Sequence, residues 1–352
     1  MYYLTGWKRP GAVLLLDPRR EVLFLPHRNA EQEKLWGPQP APGDSDIREK
    51  SGFDTVLPIE RFETELRASW ERWHVVYTLG ADNRSRLQSI MPAADIQDAR
   101  PELMRLRMTK SRQEIEWLQH AADATVTAHL AAWKLAAPGK YEYQVAAAML
   151  SVFLDRGCER SAYPPMVASG PNSVYLHYSR NDRQIGYGEL LLMDVGAQCA
   201  GYAADVTRTI PVSGRFTPRQ RELYDIVLGA QKAVISAVKP GMTIGRATPH
   251  SLNQVAYDYL DSHGKDLHGA PLGKYFTHGI SHHIGLEVHD AADPDAPLEP
   301  GMVISVEPGL YLPEERIGIR IEDMVLVTKN GAQVLTAALP REAAEIEKAM
   351  AK

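Results

Sequence analysis

The sequence predicts an α+β protein with a small mixed α/β domain, residues 1–105, and a larger domain, residues 106–352. After Pro101, long Ala-rich helical patterns replace the short apolar runs of the first hundred residues. The order helix, Pro-Gly, helix, strand pair then occurs twice, with Pro138-Gly139 and Pro240-Gly241 lying 102 residues apart. Because repeat arrays have periods of roughly 20–50 residues, this spacing predicts two pseudo-symmetric halves of one domain. An accidental recurrence is the alternative, since Pro-Gly stops are common.

The predicted elements of the first domain are short. A strand is expected at residue 2. Apolar runs predict three further strands, at Ala12–Leu16, Val22–Leu25 and His74–Leu79. Two short helices are expected at Asn29–Leu35 and Asn83–Ile90, with a Pro/Gly loop at Pro38–Gly43.

The larger domain is predicted from helix signals and apolar runs. In its first half, a capping box at Ser111–Glu114 introduces a helix to Ala137, and a helix and two strands follow at Tyr143–Leu154, Glu189–Val195 and Ala203–Val212. In its second half, Thr217 is a predicted N-cap, with Pro218 at the first helical position. Two helices are expected there, through Tyr224–Val238 and at Pro249–Ser262, and two strands follow at Met302–Leu310 and Gly318–Val327.

The composition excludes several classes of protein. The 352 residues are 44% hydrophobic and 24% charged, which argues against wholesale disorder and fibrous repeats. The longest apolar runs, such as Leu190–Met193, are far shorter than the roughly 18 residues of a membrane span, and no signal peptide is visible. The formal charge of −5 argues against nucleic acid as the main partner.

The two cysteines, Cys158 and Cys199, are too few for a disulfide framework, which predicts a cytoplasmic location. Neither has a local signature that would activate its thiol, so thiol catalysis is not expected. The Gly-x-Ser-x-Gly motif of serine hydrolases and the phosphate-binding loop are also absent from the sequence.

Each predicted strand pair of the larger domain carries two carboxylates in apolar surroundings. They are Asp194 and Asp205 in the first half, and Glu307 and Glu322 in the second. An ionised carboxylate in a buried strand is unfavourable unless it is paired or ligated. Only Arg208 and Arg320 lie near these acids in the sequence, so two divalent cations would balance them better. A salt bridge is the alternative for any single acid, but the matched positions favour a metal site.

A histidine-rich segment, residues 278–290, can supply an imidazole ligand. It contains four of the twelve histidines of the chain, His278, His282, His283 and His289. Gly279 and Gly285 disfavour a regular helix there, and the His-Glu-x-x-His pattern of zinc proteases is absent. Imidazole together with carboxylates favours Mn²⁺, Co²⁺, Fe²⁺ or Zn²⁺. A solvated loop is the alternative, and His177 taken alone is a structural residue.

At these residues the sequence resembles the pita-bread metallopeptidases and, among them, the aminopeptidase P (Xaa-Pro aminopeptidase) branch. The similarity covers nearly the whole chain and is most specific at Leu176–Tyr178, Met193–Gly196, Asp205–Thr209, His278–Asp290, Val306–Tyr311 and Ile317–Asp323. It implies a pita-bread C-terminal domain and a smaller creatinase-like α/β N-terminal domain. Relatives usually carry a further segment ahead of Tyr3-Leu4-Thr5-Gly6, so we expect this N-terminal domain to be shortened.

The resemblance also implies the metal ligands. The five ligands of the family fall on Asp194, Asp205, His282, Glu307 and Glu322, and they imply two divalent ions per chain. Asp205 and Glu322 would bridge the ions, with Asp194 on one side and His282 and Glu307 on the other. Mn²⁺ is the expected metal, and Co²⁺ and Zn²⁺ remain alternatives because the ligand types suit all three.

The implied reaction is hydrolysis of the bond between an N-terminal residue and a following proline, by a hydroxide held between the two ions. Glu307 would be the general base, and His289 and His177 would contact the peptide and the developing oxyanion. His278 and Arg320 match substrate-side positions. General peptidases handle this bond poorly because proline fixes φ and lacks a backbone donor.

Three other activities are compatible with parts of this pattern. A prolidase, which cleaves Xaa-Pro dipeptides, shares every metal ligand, whereas a methionyl aminopeptidase usually lacks such an N-terminal domain. A non-catalytic pita-bread binding module would not need the complete ligand set. Proline-containing peptides are the expected partners, without nucleic acid or membrane, and a homodimer or homotetramer fits the resemblance. Trp36 matches a tryptophan that reaches a neighbouring subunit in relatives, a packing or surface tryptophan being the alternative.

Overall fold

The computed structural model describes residues 1–245 and 250–351. The chain divides into two compact units, Met1–Leu103 and Met104–Lys352. Both units combine helices with strands, so the predicted α+β class is confirmed. Within the described ranges, no helix is both long and apolar enough to cross a lipid bilayer.

The first unit is a small mixed α/β domain. Its helices are α1 (Tyr2–Thr5), α2 (Ala30–Trp36), α3 (Ile47–Ser51), α4 (Phe62–Trp73) and α5 (Ala81–Ile90), and α6 (Arg100–Met108) runs out of it. Its strands are β1 (Val13–Asp17), β2 (Arg20–Leu25), β3 (Thr55–Pro58), β4 (Val75–Thr78) and β5 (Asp95–Asp98). Strand β2 pairs with β1 antiparallel and with β3 parallel, and β4 pairs with β5 parallel.

Most predictions for this unit are confirmed, with one error. The strands near residues 12, 22 and 74 and the helices near residues 29 and 83 all form. The strand expected at residue 2 is wrong, because α1 forms there and ends at Gly6, whose φ of 65° suits glycine. Trp36, at the end of α2, is 78% exposed, so it is not a packing residue within this chain.

The second unit contains the two halves predicted from the sequence. Its helices are α7 (Arg112–Leu135), α8 (Glu142–Asp155), α9 (Pro218–Ala237), α10 (Leu252–Ser262) and α11 (Ala343–Met350). The capping box at Ser111 and the N-cap at Thr217 are both confirmed. The predicted start of the α10 helix at Pro249 lies outside the described residues.

The strands of this unit form several short sheets. They are β6 (Arg160–Ser161), β7 (Met166–Ser169), β8 (Leu190–Asp194), β9 (Ala197–Cys199), β10 (Tyr202–Ala203), β11 (Thr207–Pro211), β12 (Val303–Val306), β13 (Gly309–Leu312), β14 (Ile317–Arg320), β15 (Asp323–Thr328) and β16 (Gly331–Val334). Strand β8 lies between β7 and β11, and β15 lies between β12 and β16.

Three predicted strands are interrupted, and each break contains one of the acids. Asp205 lies between β10 and β11, Glu307 between β12 and β13, and Glu322 between β14 and β15. At these breaks the backbone N–H of Glu307 donates to Ile280 O at 3.0 Å, and that of Glu322 donates to Thr207 O at 3.0 Å. The expectation of continuous strands is therefore wrong. At Glu307 and Glu322 the backbone N–H bonds to a distant segment instead of to the neighbouring strand of the sheet.

The two halves meet at these breaks. The Thr209 hydroxyl donates to Arg320 O at 3.0 Å and accepts from Arg320 N at 3.2 Å, which joins β11 to β14. This contact, together with the bond from Glu322 to Thr207, brings the acids of the two halves to one place.

Cys158 and Cys199 form a disulfide that spans 41 residues of chain. The bond joins the turn after α8 to the end of β9. The sequence suggested neither a pairing nor a role for these cysteines, which the tertiary structure brings together. Since disulfides are rare in cytosolic proteins, the cysteine count no longer supports a cytoplasmic location.

Candidate metal centre

The five predicted ligands converge in the second unit. Donor atoms of Asp205, His282 and Glu322 all lie within 4.8 Å of one another. His282 Nε2 lies 3.2 Å from Asp205 Oδ2 and 3.5 Å from Glu307 Oε1. Asp194 joins the same group through Tyr163, whose hydroxyl oxygen lies 2.6 Å from both Asp194 Oδ1 and Asp205 Oδ1. We call the five predicted ligands, Asp194, Asp205, His282, Glu307 and Glu322, the acidic cluster.

His282 is held with one ring nitrogen facing the carboxylates. Its backbone N–H donates to the Ser305 hydroxyl at 3.0 Å, and Ser305 N donates back to His282 O at 2.9 Å. Its Nδ1 lies 3.2 Å from His283 O, an acceptor that places the ring proton on Nδ1. When the ring is neutral, Nε2 carries the free lone pair, which is the arrangement found in histidines that bind metals.

The electrostatics of the acidic cluster call for a cation. Burial raises the pKa of Asp194, although the Arg320 charge opposes the shift. Burial, followed by the charges of Asp205 and Glu307, raises the pKa of Glu322 well above its ordinary value. Burial likewise raises the pKa of Glu307 to about 7. The carboxylates thus repel one another where water cannot screen them.

His282 responds to the same charges in the opposite sense. Burial lowers its pKa, but the hydrogen bond to Asp205 and the charge of Glu307 outweigh this effect and raise the pKa to about 9. In the absence of a bound cation, the raised pKa values of His282, Glu307 and Glu322 mean that these side chains hold protons more readily than in water. Three buried carboxylates, the partly buried carboxylate of Glu307 and one imidazole fit a divalent metal, whose binding would displace those protons.

Arg320 supplies the fixed positive charge of the site. Its guanidinium lies 2.5 Å from Asp194 Oδ2, donates to the Tyr311 hydroxyl at 2.8 Å and donates to the Thr207 hydroxyl at 3.1 Å. Thr207 in turn donates to Glu322 Oε2 at 2.7 Å. This buried chain of bonds links both halves of the cluster, and it directs Arg320 toward the acids.

Three other histidines, His177, His278 and His289, were predicted on the substrate side of the site. His289 stacks on His282 with ring centroids 4.0 Å apart. Burial lowers the pKa of His289, and the charges of His282 and the exposed His177 lower it further. His278 Nε2 lies 2.8 Å from the Tyr311 hydroxyl, and its Nδ1 lies 3.7 Å from Glu307 Oε2.

Tyr163 and Tyr311 are site residues that the sequence analysis missed. Tyr163 contacts two predicted ligands but lies in a loop 31 residues before the nearer of them. Tyr311 connects His278 with Arg320. Neither tyrosine stands in a local pattern that points to a metal site, so only the assembled structure identifies them.

Two family models match the chain. Metallopeptidase family M24 matches residues 116–329, and the aminopeptidase P N-terminal domain matches residues 1–77.

Similar proteins carry related names. The chain is 36% identical to the Xaa-Pro aminopeptidase of Haemophilus influenzae, over 99% of this chain and 87% of the relative. It is 38% identical to the Xaa-Pro dipeptidase of Pyrococcus furiosus, over 96% of this chain and 90% of the relative. Among solved structures, Pseudomonas aeruginosa aminopeptidase PepP superposes with a TM-score of 0.89 at 32% identity, covering 99% of this chain and 87% of that one. The predicted pita-bread fold is therefore confirmed.

Proposed function

Since this chain belongs to metallopeptidase family M24, we propose that it is an exopeptidase that cleaves the bond between an N-terminal residue and a following proline. The observation that carries the proposal is the convergence of four carboxylates, three of them buried, and one imidazole on one place in the fold. The name of the Haemophilus influenzae relative, which the chain matches almost end to end, supports the choice of substrate.

Membership of the family implies a divalent metal cofactor. We propose two ions per chain, Mn²⁺ first and Co²⁺ or Zn²⁺ as alternatives, with Asp194, Asp205, His282, Glu307 and Glu322 as ligands. Bound divalent cations supply an activated water and polarise the scissile carbonyl. Burial raises the pKa values of Glu307 and Glu322, and that of Asp194 despite its ion pair with Arg320. These shifts support the ligand set, because ionised carboxylates in such surroundings need additional positive charge.

The side chains of the chain would share the remaining work. Glu307 accepts the proton of the attacking water and passes it to the nitrogen of the leaving proline. His289 and His177 donate hydrogen bonds to the peptide and to the oxyanion as it develops. His278 borders the substrate, and Arg320 orients Asp194 and opposes the rise in its pKa that burial causes. The stacking of His289 on His282 supports a position beside the ligands.

A prolidase is the second candidate, because the Pyrococcus furiosus relative is named Xaa-Pro dipeptidase at 38% identity. The two activities differ in whether a residue after proline is accepted. The acidic cluster serves both, so the substrate series must separate them.

The experiment is a metal-reconstitution assay. Protein stripped by a chelator is loaded separately with Mn²⁺, Co²⁺ or Zn²⁺ and offered Xaa-Pro, Xaa-Pro-Xaa and Xaa-Ala-Xaa peptides. We expect the stripped protein to be inactive and the loaded protein to cleave Xaa-Pro-Xaa, with little turnover of the dipeptide or the alanine peptide. Preferred dipeptide cleavage would establish the prolidase instead. No cleavage of any peptide with any metal would contradict both activities and favour a binding module.

Two predictions concern the setting of the enzyme. A homodimer or homotetramer remains a prediction of the resemblance, and the exposed Trp36 is the surface residue that would test it. A cytoplasmic location also remains a prediction. The low number of cysteines no longer supports it, because Cys158 and Cys199 form a disulfide.

A further inference from the structure

A second group of metal-binding side chains lies outside the acidic cluster. It consists of His120 on α7, Cys158 in the turn after α8, and Cys199 at the end of β9. The donor nitrogen and sulfur atoms all lie within 4.8 Å of one another. Both cysteines are buried and His120 is exposed. The group thus combines two buried sulfurs with one imidazole that solvent can reach.

The backbone around these residues is fixed without the disulfide. Cys158 N donates to Phe153 O at 3.0 Å, and Glu159 N donates to Gln198 O at 2.9 Å, which pairs the two cysteine segments. Strand β9 is anchored to α7 because Ala197 N donates to the Thr125 hydroxyl at 3.0 Å. These hydrogen bonds do not involve sulfur, so reduction of the disulfide would leave the three donors side by side.

We propose that His120, Cys158 and Cys199 bind Zn²⁺, or another thiophilic divalent cation, when the disulfide is reduced. Two thiolates and an imidazole are soft and borderline ligands that select Zn²⁺ over Mn²⁺ or Mg²⁺. The acidic cluster is instead dominated by oxygen donors. With three protein ligands, the fourth position of a tetrahedral Zn²⁺ would be taken by water. The disulfide and the metal-bound thiolates are then alternative states of the same three residues.

The change between the two states is chemically balanced. A phosphine reductant cleaves the S–S bond, takes an oxygen atom from water to become the phosphine oxide, and leaves two thiols. Binding of the cation then releases the two thiol protons to solvent. Reoxidation by a disulfide such as oxidised glutathione restores the Cys158–Cys199 bond, releases the cation and, with two protons from solvent, yields two reduced glutathione molecules.

Cobalt substitution tests the proposal without relying on activity. Thiolate ligands give Co²⁺ a near-ultraviolet charge-transfer absorption, whereas the five groups of the acidic cluster contain no sulfur and give none. The whole chain is reduced with a phosphine, freed of it without oxygen, checked for two free thiols and titrated with Co²⁺. We expect the absorption to grow to one equivalent of thiolate-bound Co²⁺ in reduced protein and to be absent from oxidised protein. Added Zn²⁺ should abolish it.

Variants assign the ligands. Cys158→Ser and Cys199→Ser should each abolish the absorption. Because a lost outer-shell partner already weakens metal binding about 10- to 100-fold, His120→Ala should weaken Co²⁺ binding by at least that factor. His120 is exposed, so this variant is expected to fold, and His268→Ala at another exposed histidine is the matched control that should bind as wild type does.

Two results would overturn the proposal. The first is no charge-transfer absorption in reduced protein whose two thiols have been counted. The second is unchanged Co²⁺ affinity in His120→Ala, which would remove the imidazole from the site. Neither result bears on peptide cleavage, so this proposal and the proposed function fail independently.

Discussion

Two neighbouring acids, Glu322 and Asp323, belong to regions with opposite charge balance. Glu322 belongs to the acidic cluster, and Asp323 belongs to a second buried group that we call the arginine network. The network consists of Arg208, Gln231, Asp323, Thr336 and Arg341. Asp323 begins β15 and Glu322 lies directly before it, so one short segment serves both regions.

Asp323 is satisfied by fixed partners. Its carboxylate accepts from Arg208 at 2.7 Å, from Gln231 at 2.9 Å and from the Thr336 hydroxyl at 2.6 Å, and Arg341 lies 3.3 Å away. Arg208 also donates to the backbone oxygen of Glu322 at 2.6 Å. The network thereby fixes the backbone on which Glu322 is presented.

Glu322 has the opposite surroundings. Its carboxylate accepts a neutral hydroxyl from Thr207, and the charges of Asp205 and Glu307 add to burial in raising its pKa. The comparison teaches that burial of an acid does not by itself indicate function. Of these two acids, the one that we propose to be functional is Glu322, whose negative charge its fixed neighbours leave unbalanced.

Glu307→Ala should have the largest effect. Loss of a general base typically lowers kcat by about 10²- to 10⁴-fold, and here a metal ligand would be lost as well. Cleavage of a Xaa-Pro-Xaa peptide and metal content measured on the same sample would test this, with the exposed Glu345→Ala as the control. Turnover close to wild type would remove Glu307 from the mechanism.

Asp323→Asn should mainly affect stability. It leaves the fully buried Arg208 without its anion, and breaking a buried ion pair costs about 3–5 kcal/mol in the free energy of unfolding. The exposed pair of Arg221 and Asp225 offers the control, since Asp225→Asn should cost less than about 1 kcal/mol. Urea unfolding of metal-free protein would measure both.

Glu322→Gln tests the difference between the acidic cluster and the arginine network from the other side. In metal-free protein Glu322 is held either as a repelled charge or as an acid that takes up a proton on folding, and both are unfavourable. A neutral amide avoids this cost, so the free energy of unfolding should stay the same or rise while activity is lost. If Glu322→Gln destabilised the metal-free protein as much as Asp323→Asn does, the distinction between the two regions would be wrong.

The smallest expected effect is a pH dependence at His129. This buried residue of α7 lies beside the arginine network, and burial, followed by the charge of Arg208, lowers its pKa to about 3. Below about pH 6.5 the unfolded chain binds a proton that the folded chain excludes, so stability present above that pH is lost as pH falls. Between pH 7 and pH 5 the loss should be about 2 kcal/mol.

Unfolding measured at both pH values in wild type and His129→Gln isolates this contribution. The pH-dependent loss should be smaller in the variant by that amount. His268→Gln is the control, because the pKa of His268 is raised by Glu314 and its contribution has the opposite sign. Equal pH dependence in wild type and His129→Gln would show that His129 does not exclude the proton.

Local patterns predicted much of the fold because their causes are local. The capping box at Ser111 and the N-cap at Thr217 rest on contacts within one helical turn. The strand breaks at Asp205, Glu307 and Glu322 were not predictable, because the hydrogen bonds that replace the ladder come from distant segments.

The sequence by itself determined the unusual content of the chain: four acids in apolar segments, a histidine-rich segment, and a helix-strand order that occurs twice. Tertiary structure alone decided which charges are balanced. It paired Asp323 with Arg208 but left Glu322 among other acids, it placed Tyr163 between Asp194 and Asp205, and it joined two cysteines 41 residues apart. The physical reason is that electrostatic energy depends on distance and burial in space, which the order of residues along the chain does not specify.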